Sequence, residues 1–351
     1  MPNHLFSRRE ILGAASLAFT AAAKAAPKPI VSVVQIKNDK VDYAVEKAID
    51  LLGGMKRITK GVNTVMLKPN LVSPQPTATT KPAVIRTLAR LMKKAGKEVS
   101  IGEGSAASPK FNVVGAEVFR TRRRDLLDPM QQYVFEQLGY AELAKDLHAP
   151  LVNLHSGELI EVPVPNGFVF DKVSLNKSLA EVDLLCSVPM MKTHQLATVT
   201  LGMKNLIGTF PGTVYQSVRG SVHDKGSKIE PTGASAVVVD MVRANNLGLT
   251  VIDGSMAMEG NGPSQGEVFK MDVIVAGTNP VAADLVASAI MGFEAKEIPT
   301  FAWAAKAGLR PETLEEVIVR GDPIESVRRP FKKPFVVPWK MAGAFWGARE
   351  M

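Results

Sequence analysis

The chain has 351 residues, of which 46% are apolar and 22% charged, with a formal net charge of +8. That is enough apolar material for a large core. The positive balance favours anionic partners, while the lack of any basic repeat interleaved with aromatics excludes a nucleic-acid reader. A single cysteine, Cys186, excludes an intramolecular disulfide and an iron–sulfur cluster held by four cysteines of this chain.

The first residues carry a leader pattern. Ser7, Arg8, Arg9, Glu10, Ile11 and Leu12 match the twin-arginine export signature. The apolar stretch over 11–23 is too short to span a bilayer comfortably, and Ala23-Lys24-Ala25 offers a cleavage site. Residues 1–25 are therefore read as a signal peptide. It would engage the twin-arginine translocation machinery and give a periplasmic or otherwise exported protein. An uncleaved anchor and a cytosolic chain with a hydrophobic end are the alternatives.

Residues 30–36 read as a strand, and 41–52 carry apolar residues at helical spacing. A second strand over 64–68 ends in Pro69 and Asn70, followed by a loop over 71–81 rich in Pro and Thr. Pro82 opens a helix over 83–94, closed by Ala95 and Gly96. The next strand and its exit loop occupy 99–105. Strand, helix, strand at this spacing predicts a βαβ unit with parallel strands.

The stretch 105–175 is less regular and is expected to be an α+β cap or insertion. Arg120, Arg122, Arg123 and Arg124 form a basic run, read as a solvated helix face or as an anion-docking patch. Asp128 and Pro129 are expected to start a helix to Leu138, with another over 141–147. Short β-like pieces lie near Leu151, over 159–165 and over 168–170. The parallel pattern returns with an apolar strand over 183–190, which holds Cys186, read as a small buried hydrophobe rather than a nucleophile. A helix over 234–245, strands over 249–253 and 272–277, helices over 281–291 and 297–307 and a late strand over 316–321 follow. The expected fold class is α/β, a mixed and mostly parallel sheet with helices on both faces.

The last segment, 328–351, mixes prolines and basic residues with Phe331, Phe335, Trp339, Phe345 and Trp346. It is read as unpacked, as docked across the domain surface, or as a peripheral membrane contact, since aromatics and cations suit that boundary. The organisation expected is a leader over 1–25, an α/β domain over 26–327 and this tail.

Four polar pieces fall at predicted strand ends. Lys68-Pro69-Asn70 offers a fixed cation after a stiff turn. Gly102-Glu103-Gly104-Ser105 lets a ligand approach the backbone, with Ser105 able to bond it; it is not a full dinucleotide-binding glycine motif. The third piece gathers Lys192, His194, Lys204 and Asn205. The fourth runs from Asp253 through a glycine-rich turn holding Glu259, a candidate divalent-metal or acid/base pair. In open parallel sheets ligands sit beyond the carboxyl ends of the strands. If the four strands are parallel neighbours, the pieces converge on one crevice. Lys68, Lys192 and Lys204 would hold an anion, with Asn70, Glu103, Ser105 and Asn205 around it. His194, Lys204 and Glu259 would move protons, and Asp253 with Glu259 would bind a metal. A purely structural polar network is the alternative for each piece. The other histidines, His4, His148, His155 and His223, show no ligand spacing with His194, which argues against a histidine zinc site. Asp284, one turn inside a helix, either reaches the crevice or pairs with a neighbour.

These pieces, in this order, resemble the DUF362 family of uncharacterised proteins. The matching residues are Lys68-Pro69-Asn70-Leu71, Gly102-Glu103-Gly104, Pro189-Met190-Met191-Lys192-Thr193-His194, Gly202-Met203-Lys204-Asn205-Leu206-Ile207-Gly208, Met258-Glu259-Gly260-Asn261-Gly262-Pro263 and Gly277-Thr278-Asn279-Pro280-Val281-Ala282-Ala283-Asp284. The resemblance spans about 30–318 and implies no activity. Some relatives carry a ferredoxin-like cysteine segment; this chain departs from them, so an iron–sulfur cluster of its own is not expected. A partner's cluster, or a cofactor without cysteine ligands, stays open.

The expectation is an exported enzyme acting on a small anionic molecule, with a divalent metal as an option. The alternatives are an anion- or cofactor-binding protein that serves a partner redox system, and a surface-attached assembly factor that uses the tail.

Overall fold

The computed structural model describes residues 27–344 and 346–351. The leader over 1–25 and Phe345 lie outside the described residues. Ten strands form one sheet: β1 (Ile30–Gln35), β2 (Thr64–Pro69), β3 (Glu98–Glu103), β4 (Leu151–Asn153), β5 (Leu184–Val188), β6 (Met190–His194), β7 (Thr198–Thr200), β8 (Leu247–Glu259), β9 (Glu267–Gly277) and β10 (Ile318–Gly321). Their order is β10-β1-β9-β8-β5-β2-β3-β4, with β6 beside β8 and β7 beside β6. The pairs β8–β5, β5–β2, β2–β3, β3–β4, β6–β8 and β1–β10 are parallel. The pairs β1–β9, β8–β9 and β6–β7 are antiparallel. The fold is thus α/β with a mixed, mostly parallel sheet.

The sheet is covered on both faces, and β5 explains why. All of its residues are buried, as expected of a strand inside a parallel sheet. Because side chains alternate, Leu184, Cys186 and Val188 join one apolar layer and Leu185 the other. Burial also pushes the Cys186 thiol up in pKa, in keeping with a buried, unreactive sulfur. The helix Pro82–Lys94 shows how the first layer is built. Proline sits in its first turn, and Val84, Ile85, Leu88, Ala89 and Met92 form the buried stripe. Each large side chain in that stripe contributes about 1.5–3 kcal/mol. Gly96, at φ +79°, stops the helix in a conformation that glycine adopts without strain.

Several elements differ from the sequence expectation. The strand expected over 249–253 runs on to Glu259, because antiparallel pairing with β9 continues past a bulge between Gly254 and Met256. The helix expected from Asp128 begins at Arg124, with Pro129 inside it. Its first turn is already closed onto the Arg123 carbonyl by the N–H groups of Leu126 and Leu127. Residues 168–170 form no strand, since the N–H groups of Phe168, Val169 and Phe170 all donate to the Asp240 carboxylate. The helix expected over 297–307 is split into a 3-10 turn, Ala295–Glu297, and a helix that restarts at Pro299. Leu151–Asn153, expected within the insertion, is the β4 edge of the main sheet.

The basic run is not a helix face. Arg120 ends a short strand, Glu117–Arg120, and the four arginines pair with Asp224, Glu350, Asp125 and Asp128 in turn. The described residues of the tail are docked across the domain surface. Phe331 and Trp339 are buried, and Trp346–Glu350 adds a parallel strand to Glu117–Arg120.

Candidate functional site

Strands β8, β5, β2 and β3 are consecutive parallel neighbours, the arrangement on which convergence of the polar pieces depends. Beyond their carboxyl ends lies a cavity of about 190 Å³ lined by Lys68, Asn70, Glu103, His194, Lys204 and Asn205, among others. Six of the expected site residues therefore share one crevice.

Lys68, next to last in β2, is fully buried. Its ammonium donates to the Glu103 carboxylate at 2.8–2.9 Å, to the Pro69 carbonyl at 2.9 Å and to Asn205 Oδ1 at 3.0 Å. An ammonium has three donors, so all of them are engaged within the protein. Burial lowers the Lys68 pKa, and the facing Glu103 opposes that. Glu103 also accepts from the N–H groups of Leu71 and Gly104. The pair is a floor for the cavity rather than a hand for an anion. Gly208 is what lets the next turn lie against it: a Cβ there would meet Glu103 Oε1 at 2.5 Å and Lys68 Nζ at 2.8 Å.

The short helix Gly202–Asn205 delivers two side chains to this floor. Its first N–H groups, from Gly202 and Met203, donate to Asp284 at 2.7 and 2.9 Å. Asp284 thus caps this helix instead of contributing to the crevice directly, and burial pushes its carboxyl up to about 7. Asn205 ties the floor together, giving its amide hydrogens to the Lys68 carbonyl and Ser187 Oγ and accepting from Asn70 Nδ2. Lys204 lines the cavity, and among the described residues its ammonium has no hydrogen-bond or ion-pair partner. Burial first, then the Arg219 and Lys68 cations, lower its pKa to about 7. Two further polar atoms on the wall, Asn70 Oδ1 and Thr200 Oγ1, are buried without partners. Buried orphans of this kind are uncommon in folded proteins.

Two imidazoles face the same space. His194 Nδ1 accepts from the Leu196 N–H at 3.0 Å, which leaves the proton on Nε2. His223 Nδ1 lies 3.0 Å from the Gly233 carbonyl, an acceptor, so the proton is on Nδ1 and Nε2 carries a lone pair. Burial, with the nearby Lys204, holds His194 well below the usual histidine range and His223 at about 3. Both rings are neutral at physiological pH, one presenting a donor and the other an acceptor.

The remaining expected residues lie elsewhere. Lys192 is buried behind the wall, and its ammonium joins two loops through the Ala78 carbonyl at 2.6 Å and the Pro263 carbonyl at 2.9 Å. Burial, with repulsion from Lys204 added, lowers its pKa to about 7. Ser105 sits outside the cavity lining; its N–H donates to Gln131 Oε1 at 2.6 Å. Asp253 is mid-strand and accepts from the Lys81 N–H, the Ser255 N–H and Ser255 Oγ. Glu259 accepts from the Lys332 N–H and faces Arg329, so it anchors the tail. The two carboxylates stand six residues apart on a strand bulged between Gly254 and Met256, and each is taken up by its own protein partners. The expected metal pair is therefore not formed. Among the described residues no group of three or more His, Cys, Asp and Glu side chains is placed to hold a metal ion.

Sequence reasoning missed Arg219, His223, Trp339 and Trp346, all of which line the cavity. Arg219 is buried and donates to the carbonyls of Gly104, Ser105, Gly208 and Ser217, clamping the loops that form the wall. No motif marked it, and His223 was weighed only as a metal ligand.

A family profile described as "Domain of unknown function (DUF362)" matches residues 65–289. A thylakoid-associated protein of Synechocystis sp. is 28% identical over 292 residues, 82% of each chain. Among solved structures, the lactate racemase apoprotein from Thermoanaerobacterium thermosaccharolyticum gives a TM-score of 0.43 at 15% identity, covering 76% of this chain and 57% of that one. A protein from Thermotoga maritima gives 0.40 at 12% identity, covering 70% and 57%. The chain thus spans less than two thirds of the solved structures it matches.

Proposed function

The chain belongs to the DUF362 family, whose description names no activity, and we propose that its cavity binds a small anionic molecule and moves a proton on it. The observation that carries this reading is Lys204, a buried ammonium that lines the cavity without a partner among the described residues, beside two neutral imidazoles of opposite tautomer. An anion would supply the missing partner and relieve the burial penalty. Lys204 and His194 Nε2–H would hold the anionic group, and His223 Nε2 would accept a hydrogen bond from the ligand. Lys204, with a pKa of about 7, is the group suited to take a proton from the ligand in its neutral form and to give it back. Asn70 Oδ1 and Thr200 Oγ1 would orient the rest of the molecule.

Hydrogen–deuterium exchange at carbon provides the test. Small carboxylates bearing an acidic C–H are incubated with the protein in D2O and followed by proton NMR. Exchange that is lost in Lys204→Arg, which keeps the charge but cannot release its proton, supports proton transfer by this lysine. Lys204-dependent binding without exchange of any substrate would make this a binding protein, and binding unaffected by Lys204→Met would remove the reading altogether.

Export through the twin-arginine machinery is the companion proposal, resting on Arg8 and Arg9 in their signature. Reporter fusions should leave the cytoplasm with the native pair and stay there with Arg8→Lys/Arg9→Lys. Contact with an anionic membrane surface is proposed for the tail, where Phe335 and Met341 are 69% and 58% exposed near Lys333 and Lys340. A relative named as thylakoid-associated is in keeping with this. Unchanged vesicle co-sedimentation after Phe335→Ser/Met341→Ser would count against it.

A further inference from the structure

The cavity is walled from two sources of different chemistry. Strand ends and the helix Gly202–Asn205 supply the polar wall. The other wall is apolar and comes largely from distant segments: Val118, Leu196, Val218, Trp339 and Trp346. Both tryptophans belong to the tail; Trp339 is held at its polar group, and Trp346 packs against the small apolar cluster that includes Leu196 and Trp339. The Trp339 N–H donates to the Pro231 carbonyl at 2.8 Å and its indole Nε1–H to Asp224 at 2.7 Å. Its ring lies against His223, with centroids 4.8 Å apart and planes 31° apart. Trp346 opens the last strand and pairs with Val118. An indole whose polar group is bonded elsewhere offers the cavity only its apolar face.

The size of the space adds a limit. The cavity holds about 190 Å³. That is below the usual range for drug-sized ligands, and it suits one ring with an anionic group. A bare inorganic anion would leave the apolar wall facing water.

Resting on the anion-binding reading above, we propose that the substrate is a carboxylate carrying a flat apolar body the size of one ring, and that Trp339 and Trp346 recognise that body. The tail is then part of the specificity apparatus. The anionic group lies toward Lys204 and His194, and the ring packs between the indoles next to the His223 acceptor.

The test compares benzoate with acetate as probes, titrated into the full-length protein by calorimetry at pH 6. Benzoate should bind at least about tenfold more tightly than acetate, the preference expected from one well-packed aromatic contact. Trp346→Ala should bring the two affinities within about twofold of each other, and Trp346→Phe should keep most of the preference. Lys204→Met should weaken both anions. Equal affinities in the wild type, or a benzoate preference untouched by Trp346→Ala, overturns the proposal while Lys204-dependent acetate binding leaves the anion-binding reading intact. Affinities that ignore Lys204→Met overturn both. Wild-type selectivity needs no variant, so misfolding of a variant does not protect the idea.

Discussion

Lys204→Met should make the ligand-free protein more stable, in a way that depends on pH. Methionine keeps the length of the side chain and removes the charge. The fall in the lysine pKa from 10.5 to about 7 is worth at most about 5 kcal/mol. Below pH 7 the lysine is charged in both folded and unfolded chains, so the native state bears the whole burial penalty. Between pH 7 and 10.5 the folded chain has released a proton that the unfolded chain still holds, so wild-type stability rises with pH. At pH 9 about 2 kcal/mol of the penalty remains. Lys192 is coupled to this titration, because Lys204 helps lower its pKa to about 7, so the variant should also raise the Lys192 pKa and add to the gap below pH 7. Urea denaturation of both proteins at pH 6 and pH 9 measures the difference. The variant should lead by up to about 5 kcal/mol at pH 6 and by about 2 kcal/mol at pH 9. A variant that is less stable at pH 6, or a gap that does not change with pH, would falsify the picture of a buried charge awaiting a partner.

Breaking the floor should be costly in one direction only. Lys68→Met or Glu103→Gln alone leaves a buried partner exposed to a low dielectric and should destabilise by about 3–5 kcal/mol, while Lys68→Met/Glu103→Leu should recover much of the loss in a double-mutant cycle. Gly208→Ala should destabilise by about 1–3 kcal/mol, because its Cβ would push the ion pair aside; a neutral effect in thermal melts would mean the turn can shift. Asp284→Ala strands two buried N–H groups and should cost about 2–6 kcal/mol, together with a measurable loss of anion affinity as Lys204 moves. Nitrogen-15 NMR of the imidazoles should find His194 protonated on Nε2 and His223 on Nδ1, with both spectra unchanged down to pH 5; protonation of either ring near pH 6.5 would contradict the burial argument.

Order and kind of most elements were legible in the sequence because their causes are local. Apolar runs marked strands, Pro82 and Pro280 marked helix starts, and Gly96 marked a stop. Strand-end placement also pointed to Lys68, Asn70, Glu103, His194, Lys204 and Asn205. Those six meet because the ends of β2, β3 and β6 and the helix Gly202–Asn205 all border one cavity.

What each residue does once it arrives was not legible, because it depends on partners far along the chain. Lys68 looks like a free cation in sequence, yet Glu103 and Asn205, 35 and 137 residues away, take its donors. Glu259 sits in a motif-like turn, yet antiparallel pairing carries it away from Asp253 and onto the tail. Backbone atoms at Leu196 and Gly233 decide which nitrogen of His194 and His223 holds the proton. The apolar wall is assembled from Val118, Val218, Trp339 and Trp346 only when the tail docks. Local pattern therefore determines elements and the strand ends on which polar groups stand. The choice among binding, bracing and catalysis is made by tertiary contact, because a charge is available to a ligand only when no folded partner has already claimed it.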